Sequence, residues 1–408
     1  MSDEHYPHGA HDPTLDRNDE DARLTMSSEQ TAVSIGDRRQ AALLARFAAS
    51  GYEPIDLPIL GPASVFIDFS GEEIRSGLFL TSDDAGAELC LRPEYTIPLC
   101  RAYLDSDRAG RQASFAYCGP VFRSRPGHAA ESVQSGIESY GRADIAAADA
   151  EILALSLEAA AAAGTAGLAI RVGDAGLVSR VFQAFRLPES WQRRLRRGLD
   201  KGQTIDTIMN GAPSAIGDHS GVLAALTGTD QKGARALVED LLSIAGIASV
   251  GGRSAAEIAE RFLVQVANKA SPAFADEQRH SLDRFLAIDG LLDDASAKLR
   301  AWAGETGLDL GDALDLFDDR INFMAACDID MDALVFEASF GRNLDYYTGF
   351  VFEARRPGAV QEGDDVLIGG GRYDRLAEQL GSREPIAAVG ASIWVDRLGE
   401  TSREGAIR

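Results

Sequence analysis

The chain is poor in cysteine, in basic residues and in long apolar runs, and each shortage removes a class of protein. Cys90, Cys100, Cys118 and Cys327 are the four cysteines in 408 residues. They make no CxxC pair and no Cys/His cluster, so neither a zinc site nor a disulfide framework is indicated, and they suit a reducing cytosol. Lys plus Arg number 40 against 63 Asp plus Glu, a formal net charge of -23. A chain this acidic repels a phosphate backbone, which argues against a nucleic-acid partner. No apolar run approaches the roughly 18 residues of a membrane span, and the N-terminus lacks a basic, apolar signal pattern. The expected location is therefore the cytoplasm, with no membrane contact. Gly369-Gly370-Gly371 fits neither GxGxxG nor a P-loop, so no dinucleotide or Walker site is read there. No cofactor and no metal is called for.

What is present is an ordinary globular composition, 45% hydrophobic and 25% charged, on a length that allows two or three domains. Residues 1–31 are polar and acidic and read as a disordered tail, in which His5, His8 and His11 are solvated rather than metal-binding. A helix is expected from about Val33 to Ala49, with Leu43, Leu44 and Phe47 as its stripe and Gly51 as its stop. Leu78–Thr81 and Glu88–Leu91 read as short strands, and Pro93 of Arg92-Pro93-Glu94 as the first residue of a helix. Ser114–Arg123 and Ser132–Gly141 are two strands around the loop SRPGHAAE. In the second, Gln134, Gly136 and Glu138 share a face, so an amide and a carboxylate flank a gap where no side chain stands.

An alanine-rich helix follows at about Ala146–Ala163, then a strand at Leu168–Val172. From about Phe185 to Asp330 helical periodicity dominates and strand signals vanish. The domain reading is thus a core of 32–185 and 331–408 around a helical insertion, 186–330. Arg193, Arg194, Arg196, Arg197 and Lys201 make its basic cluster, which reads as a solvated face or a protein contact. Strands resume at Leu334–Phe340, Tyr347–Ala354 and Val366–Gly369. The glycine triplet then leads to a helix near Tyr373, and a last strand at Ile386–Val389 enters a helix from Ser392 to Gly399. If Tyr347–Glu353 is extended, Tyr347, Gly349, Val351 and Glu353 share one face, and Gly349 leaves room beside Tyr347 for a small polar ligand. A plain core strand with a tyrosine at its edge is the alternative this stretch leaves open. Together the elements suggest one antiparallel sheet flanked by helices, an α+β fold, with Glu94, Arg123, Gln134, Glu138, Arg342 and Tyr347 on separate elements of it.

Those residues sit in LRPEYT, GPVFR followed by Q-x-G-x-E-x-x-G, RNLDYYTG, GGGRYD and AVGASIWVDRL, an ordered set that resembles the core of the histidyl-tRNA synthetases from about Val33 to Leu398 outside the insertion. The resemblance implies a class II aminoacyl-tRNA synthetase-like core and a histidine pocket. Glu94 and Thr96, helped by Gln134, would take the α-amino group of L-histidine. Arg342, with Arg123, would face its carboxylate. Glu138 and Tyr347 would hold the imidazole, and Tyr346 would line the pocket. The chemistry is apt, since a zwitterion needs an anion at one end and an arginine fork at the other.

Departures from the synthetase pattern point away from aminoacylation. Phe122-Arg123 runs into Ser124-Arg125-Pro126 where a synthetase carries a glutamate for adenine, and His128-Ala129-Ala130 stands where basic residues would serve ATP and tRNA. Trp394 replaces a glycine of the third motif and should obstruct the adenosine site, although Arg397 remains. The chain stops at Arg408, without the anticodon-binding domain of about a hundred residues. This combination resembles the regulatory-subunit family of ATP phosphoribosyltransferase, synthetase paralogues that join a short catalytic subunit at the first step of histidine biosynthesis. The resemblance implies a non-catalytic role, feedback control by histidine, and self-association through the synthetase-like core. The competing reading is an enzyme, either a truncated histidyl-tRNA synthetase or another class II adenylating ligase.

Overall fold

The fold is that of a computed structural model, which describes residues 38–70, 75–125, 127–200, 202–210, 249–250, 253–254, 275–342, 346–358 and 366–399. The tail 1–31 with its three histidines, Lys201, and residues 211–248, 251–252 and 255–274 of the stretch read as an insertion lie outside the described residues. Helix α1 (38–49) leads to strands β1 (Glu53–Pro54) and β2 (Leu60–Pro62), helix α2 (Ala63–Ser70), and strands β3 (Leu80–Ser82) and β4 (Glu88–Leu91). Helix α3 (Thr96–Leu104) precedes the long hairpin of β5 (Ala113–Phe122) and β6 (Glu131–Tyr140), helix α4 (Ile145–Ala162), strand β7 (Ala169–Asp174) and helix α5 (Ala175–Ala184). Next come helices α6 (Glu189–Asp200) and α7 (Ile205–Asn210), a short hairpin of β8 (Ser249–Val250) and β9 (Arg253–Ser254), helix α8 (Asp276–Leu286), strand β10 (Asp289–Leu291), and helices α9 (Leu292–Thr306) and α10 (Gly311–Ala326). Strands β11 (Leu334–Glu337), β12 (Phe350–Arg355) and β13 (Val366–Arg372), helix α11 (Leu376–Gln379) and strand β14 (Ala388–Trp394) complete it, with a 3-10 turn at Val395–Arg397.

The main sheet has nine strands in the order β1-β5-β6-β14-β13-β12-β7-β11-β10, and β2, β4 and β3 form a small second sheet. The expected antiparallel core is there: every neighbouring pair from β5 to β7 runs antiparallel. Towards the edges the pairs β1/β5 and β7/β11 are parallel, each bridged by a connection long enough to return the chain. Covered on both faces, β13 is buried from Val366 to Arg372 and reads as an apolar and glycine run rather than an alternation.

The two faces of the sheet differ. On one, the small side chains of α4 (Ala148, Ala150, Ala154, Ala159 and Ala160, all buried) let that helix approach closely, and α1, α5, α9 and α10 extend the same core. Beneath this helical layer runs a buried ion network. Asp149, fully buried, accepts from Arg320 Nε at 2.7 Å and from Arg372 Nη2 at 2.6 Å, and Arg320 Nη1 reaches Asp174 at 2.6 Å. Asp174 also caps α5 by accepting from the Leu177 N–H at 2.9 Å. The other face carries a second core rich in tyrosine, with Tyr95, Tyr103, Tyr117, Tyr140, Tyr346 and Tyr373 all buried. The cleft opens over this tyrosine layer.

Several local expectations are corrected by long-range pairing. The helix begins at Thr96 and not at Pro93, because the Arg92 N–H donates to Ile59 O at 2.8 Å and its carbonyl accepts from Phe122 at 3.0 Å, which keeps that segment extended. The glycine triplet lies inside β13, paired on both sides, and helix α11 starts only at Leu376. Strand β14 runs on to Trp394 through its pairing with β6, so the helix expected from Ser392 shrinks to one 3-10 turn. Strand β12 starts at Phe350, and the room expected beside Gly349 is taken by Arg372, whose Cδ would lie 3.1 Å from a Cβ there. Finally, Asp289–Leu291 is a strand: β10 adds antiparallel to β11 at the edge of the main sheet, within the stretch read as wholly helical.

Candidate functional site

The cleft over the tyrosine layer encloses about 780 Å³, within the usual range for a small-molecule site. Glu94, Thr96, Arg123, Gln134, Arg342, Tyr346 and Tyr347 all line it. Seven residues scattered over some 250 positions of sequence are thus brought to one place by the pairing of β5, β6, β14, β13 and β12. Glu138, the remaining candidate, lies just behind the wall.

Each charged group is set by local backbone chemistry. Glu94 stands before α3, where its carboxylate accepts from the Thr96 N–H at 2.6 Å and the Ile97 N–H at 3.0 Å. It therefore does the work of a helix cap, in the positive field of the helix start. Burial nonetheless raises its pKa above the ordinary carboxylate value. Glu138 is 1% exposed; one oxygen accepts from Thr96 Oγ1 at 2.8 Å and the other from the Tyr373 hydroxyl. Desolvation pushes its pKa up to about 8, opposed by those two hydroxyl donors and reinforced by the nearby Glu94 charge.

Arg342 lines the same cleft. Its guanidinium occupies the space over Gly369, where any Cβ would overlap it, and Nη1 donates to Phe352 O at 3.1 Å. Its Nε is buried with no acceptor among the described residues. Tyr346 and Tyr347 follow, with ring centroids 4.9 Å apart, and Tyr346 meets Tyr373 edge-on at 5.8 Å. Asn343, Leu344 and Asp345 of the same motif lie outside the described residues.

Arg123 and Trp394 form the third side. Arg123 Nε donates to Pro93 O at 2.7 Å, and its guanidinium lies 5.4 Å from the indole centroid, while that of Arg397 lies 4.7 Å from it. Burial, with the neighbouring Arg125 charge, lowers the Arg123 pKa to about 10. Trp394 stands directly opposite Gln134 in the β14/β6 register.

Two features escaped the sequence reading. The gap at Gly136 is filled from the next strand: a Cβ there would overlap Tyr117, whose ring stacks on Tyr95 at 4.2 Å. Tyr373, read as the start of a helix, is a wall residue that touches Glu138. The aromatic in GGGRYD was the available signal, but only the strand register shows where it points. The cleft is also lined by Gln203, Thr204 and Asp283 from the 186–330 segment and by Arg171, which is paired with Glu353 at 2.7 Å. Of the basic cluster, Arg193 pairs with Glu189 at 3.1 Å and Arg196 donates to Ser179 Oγ at 3.0 Å. Among the described residues no group of His, Cys, Asp and Glu could hold a metal ion, and no helix is long and apolar enough to cross a membrane.

Comparison with known proteins gives the family and the fold. The histidyl-tRNA synthetase family model matches residues 31–246 and 231–398. An ATP phosphoribosyltransferase regulatory subunit of Brucella anthropi is 39% identical over 350 residues, 85% of this chain and 92% of the relative. One of Brucella canis is 39% identical over 361 residues, covering 88% and 95%. Among solved structures, an ATP phosphoribosyltransferase regulatory subunit/histidyl-tRNA synthetase of Bacillus halodurans has a TM-score of 0.63 at 22% identity, over 90% of this chain and 78% of that one. A histidyl-tRNA synthetase of Nostoc sp. PCC 7120 has 0.58 at 18%, over 91% and 71%. At those identities the structural likeness speaks for the fold alone.

Proposed function

The chain belongs to the histidyl-tRNA synthetase-like family, in its branch of ATP phosphoribosyltransferase regulatory subunits, and from that membership we propose that it binds L-histidine in the tyrosine-floored cleft and thereby sets the activity of a short catalytic subunit at the first step of histidine biosynthesis. The observation that carries the ligand is the set of charges at the cleft: the buried carboxylate of Glu94 in its wall with that of Glu138 just behind, and Arg342, whose Nε has no acceptor among the described residues. A zwitterion matches that arrangement. Its ammonium relieves the Glu94 carboxylate, which burial makes reluctant to ionise, and its carboxylate supplies the acceptor that Arg342 Nε lacks among the described residues. The Glu138 carboxylate, held by the Thr96 and Tyr373 hydroxyls, is an acceptor, and the Tyr347 hydroxyl can turn to donate or accept, which together suit the two unlike nitrogens of an imidazole.

In this reading the chain has no chemistry of its own. Arg123 and Arg397 both rest against Trp394, so the flat ring two such guanidiniums could clamp is supplied from within. Histidine acts instead by favouring one state of a hetero-oligomer, with self-association through the synthetase-like core, and a coupling of about 1–3 kcal/mol is typical of such control. The test is co-purification with a short catalytic subunit and an assay of N-1-phosphoribosyl-ATP formation across a histidine series. Wild type should assemble, raise the activity and confer histidine sensitivity, and Glu138→Ala or Arg342→Ala should assemble with blunted sensitivity. Failure to associate rejects the partner. Association with unchanged inhibition in both variants moves the sensing site elsewhere.

A further inference from the structure

Glu138 reaches its place only because Gly390 faces it across the β14/β6 register, where a Cβ would overlap its carboxylate. In that recess its oxygens accept from Thr96 Oγ1 at 2.8 Å and from the Tyr373 hydroxyl, and each keeps further acceptor capacity. The phenol cannot swing away. Its ring is held edge-on against Tyr140 at 6.3 Å and Tyr346 at 5.8 Å, and its main chain is tied by the Tyr373 N–H donating to Ala388 O at 2.8 Å. Tyr373 also lines the cleft, whereas Glu138 lies behind the wall.

Resting on the histidine reading above, we infer that Tyr373 is a positioning residue for imidazole recognition: its hydroxyl, with that of Thr96, fixes the Glu138 carboxylate as an acceptor turned towards one ring N–H of the ligand. Removing the phenol leaves a buried carboxylate oxygen without its donor. The oxygen that loses its donor is no longer held in the recess and the carboxyl group is free to turn, so an acceptor no longer faces the ring N–H. The consequence is a change in which ring nitrogen is tolerated, beyond a loss of affinity.

The experiment is calorimetry on the full chain, wild type, Tyr373→Phe, Glu138→Gln and the double variant, with L-histidine and its two ring-N-methyl isomers. Wild type should reject one isomer by roughly tenfold or more, the loss expected when a buried polar group goes unpaired. Tyr373→Phe should bind histidine about tenfold more weakly and bring the rejected isomer within about threefold of histidine, and the double variant should be no worse than Glu138→Gln alone. If Tyr373→Phe melts far below wild type, Thr96→Val reads the same carboxylate from its other oxygen and should narrow the isomer preference equally. Tyr373→Phe with wild-type affinity and preference, additive losses in the double variant, or an unchanged preference in Thr96→Val overturns the positioning role. A wild-type chain that binds no histidine overturns the histidine reading and this role together, which separates the two failures.

Discussion

Gly369→Ala should weaken histidine binding by about one to two decades while leaving the fold nearly as stable as wild type. The added methyl group would fall on the Arg342 guanidinium, which must then leave its seat over β13 and give up the 3.1 Å bond from Nη1 to Phe352 O. Backbone conformation gives no reason for destabilisation, since Gly369 is not among the residues with positive φ and its strand pairing to Glu353 and Ser392 is regular. A hydrogen bond to a charged group contributes roughly 1.5–3 kcal/mol, and at 1.4 kcal/mol per decade its loss gives the stated range. Calorimetry with L-histidine on wild type, Gly369→Ala, Arg342→Ala and the double variant reads the effect, with a thermal melt beside it. Because the methyl acts only through the arginine, adding it to Arg342→Ala should cost almost nothing more. Wild-type affinity in Gly369→Ala would refute the reasoning, as would a full additional loss in the double variant.

Three other outcomes follow from the same structure. Glu138 titrates higher folded, near 8, than an unfolded glutamate at about 4.3, so the folded state holds the extra proton between those values and stability falls as pH rises through that window; the melting temperature of wild type should drop more steeply from pH 6 to about 8.5 than that of Glu138→Gln, and parallel curves would remove Glu138 as the cause. Asp149→Ala leaves Arg320 and Arg372 buried without their shared partner and should cost about 3–5 kcal/mol in urea unfolding, with a loss below about 1 kcal/mol showing that the network is dispensable. Wild type should show no histidine-dependent pyrophosphate exchange, whereas Trp394→Gly, by removing the ring that lies against the guanidiniums of Arg123 and Arg397, should gain measurable ATP binding; exchange by wild type above background, or a variant still blind to ATP, would contradict the role given to the indole.

Much of the local structure is legible in the sequence by itself. The hairpin read as Ser114–Arg123 and Ser132–Gly141 is displaced by one residue from the strands observed, and the alanine-rich helix by one residue at each end, because alternation and apolar composition are local properties. The motif order identified the family and named seven of the residues that line the cleft, but not Tyr117, Tyr373, Arg171, Gln203, Thr204 or Asp283. What the sequence could not carry is register between distant strands. Whether a glycine leaves a gap depends on neighbours that only the fold supplies: Tyr117 and Glu138, across their ladders, fill the spaces at Gly136 and Gly390, and Arg372 and Arg342 those beside Gly349 and over Gly369. The helices expected at Pro93, Tyr373 and Ser392 failed for the same reason, since each was displaced by main-chain pairing with residues far along the chain. Residue types and periodicity determined which side chains were available to the site, and only the pairing of β6, β12, β13 and β14 decided which of them meet, because side-chain direction in a sheet alternates with every residue of register and no local signal sets that count.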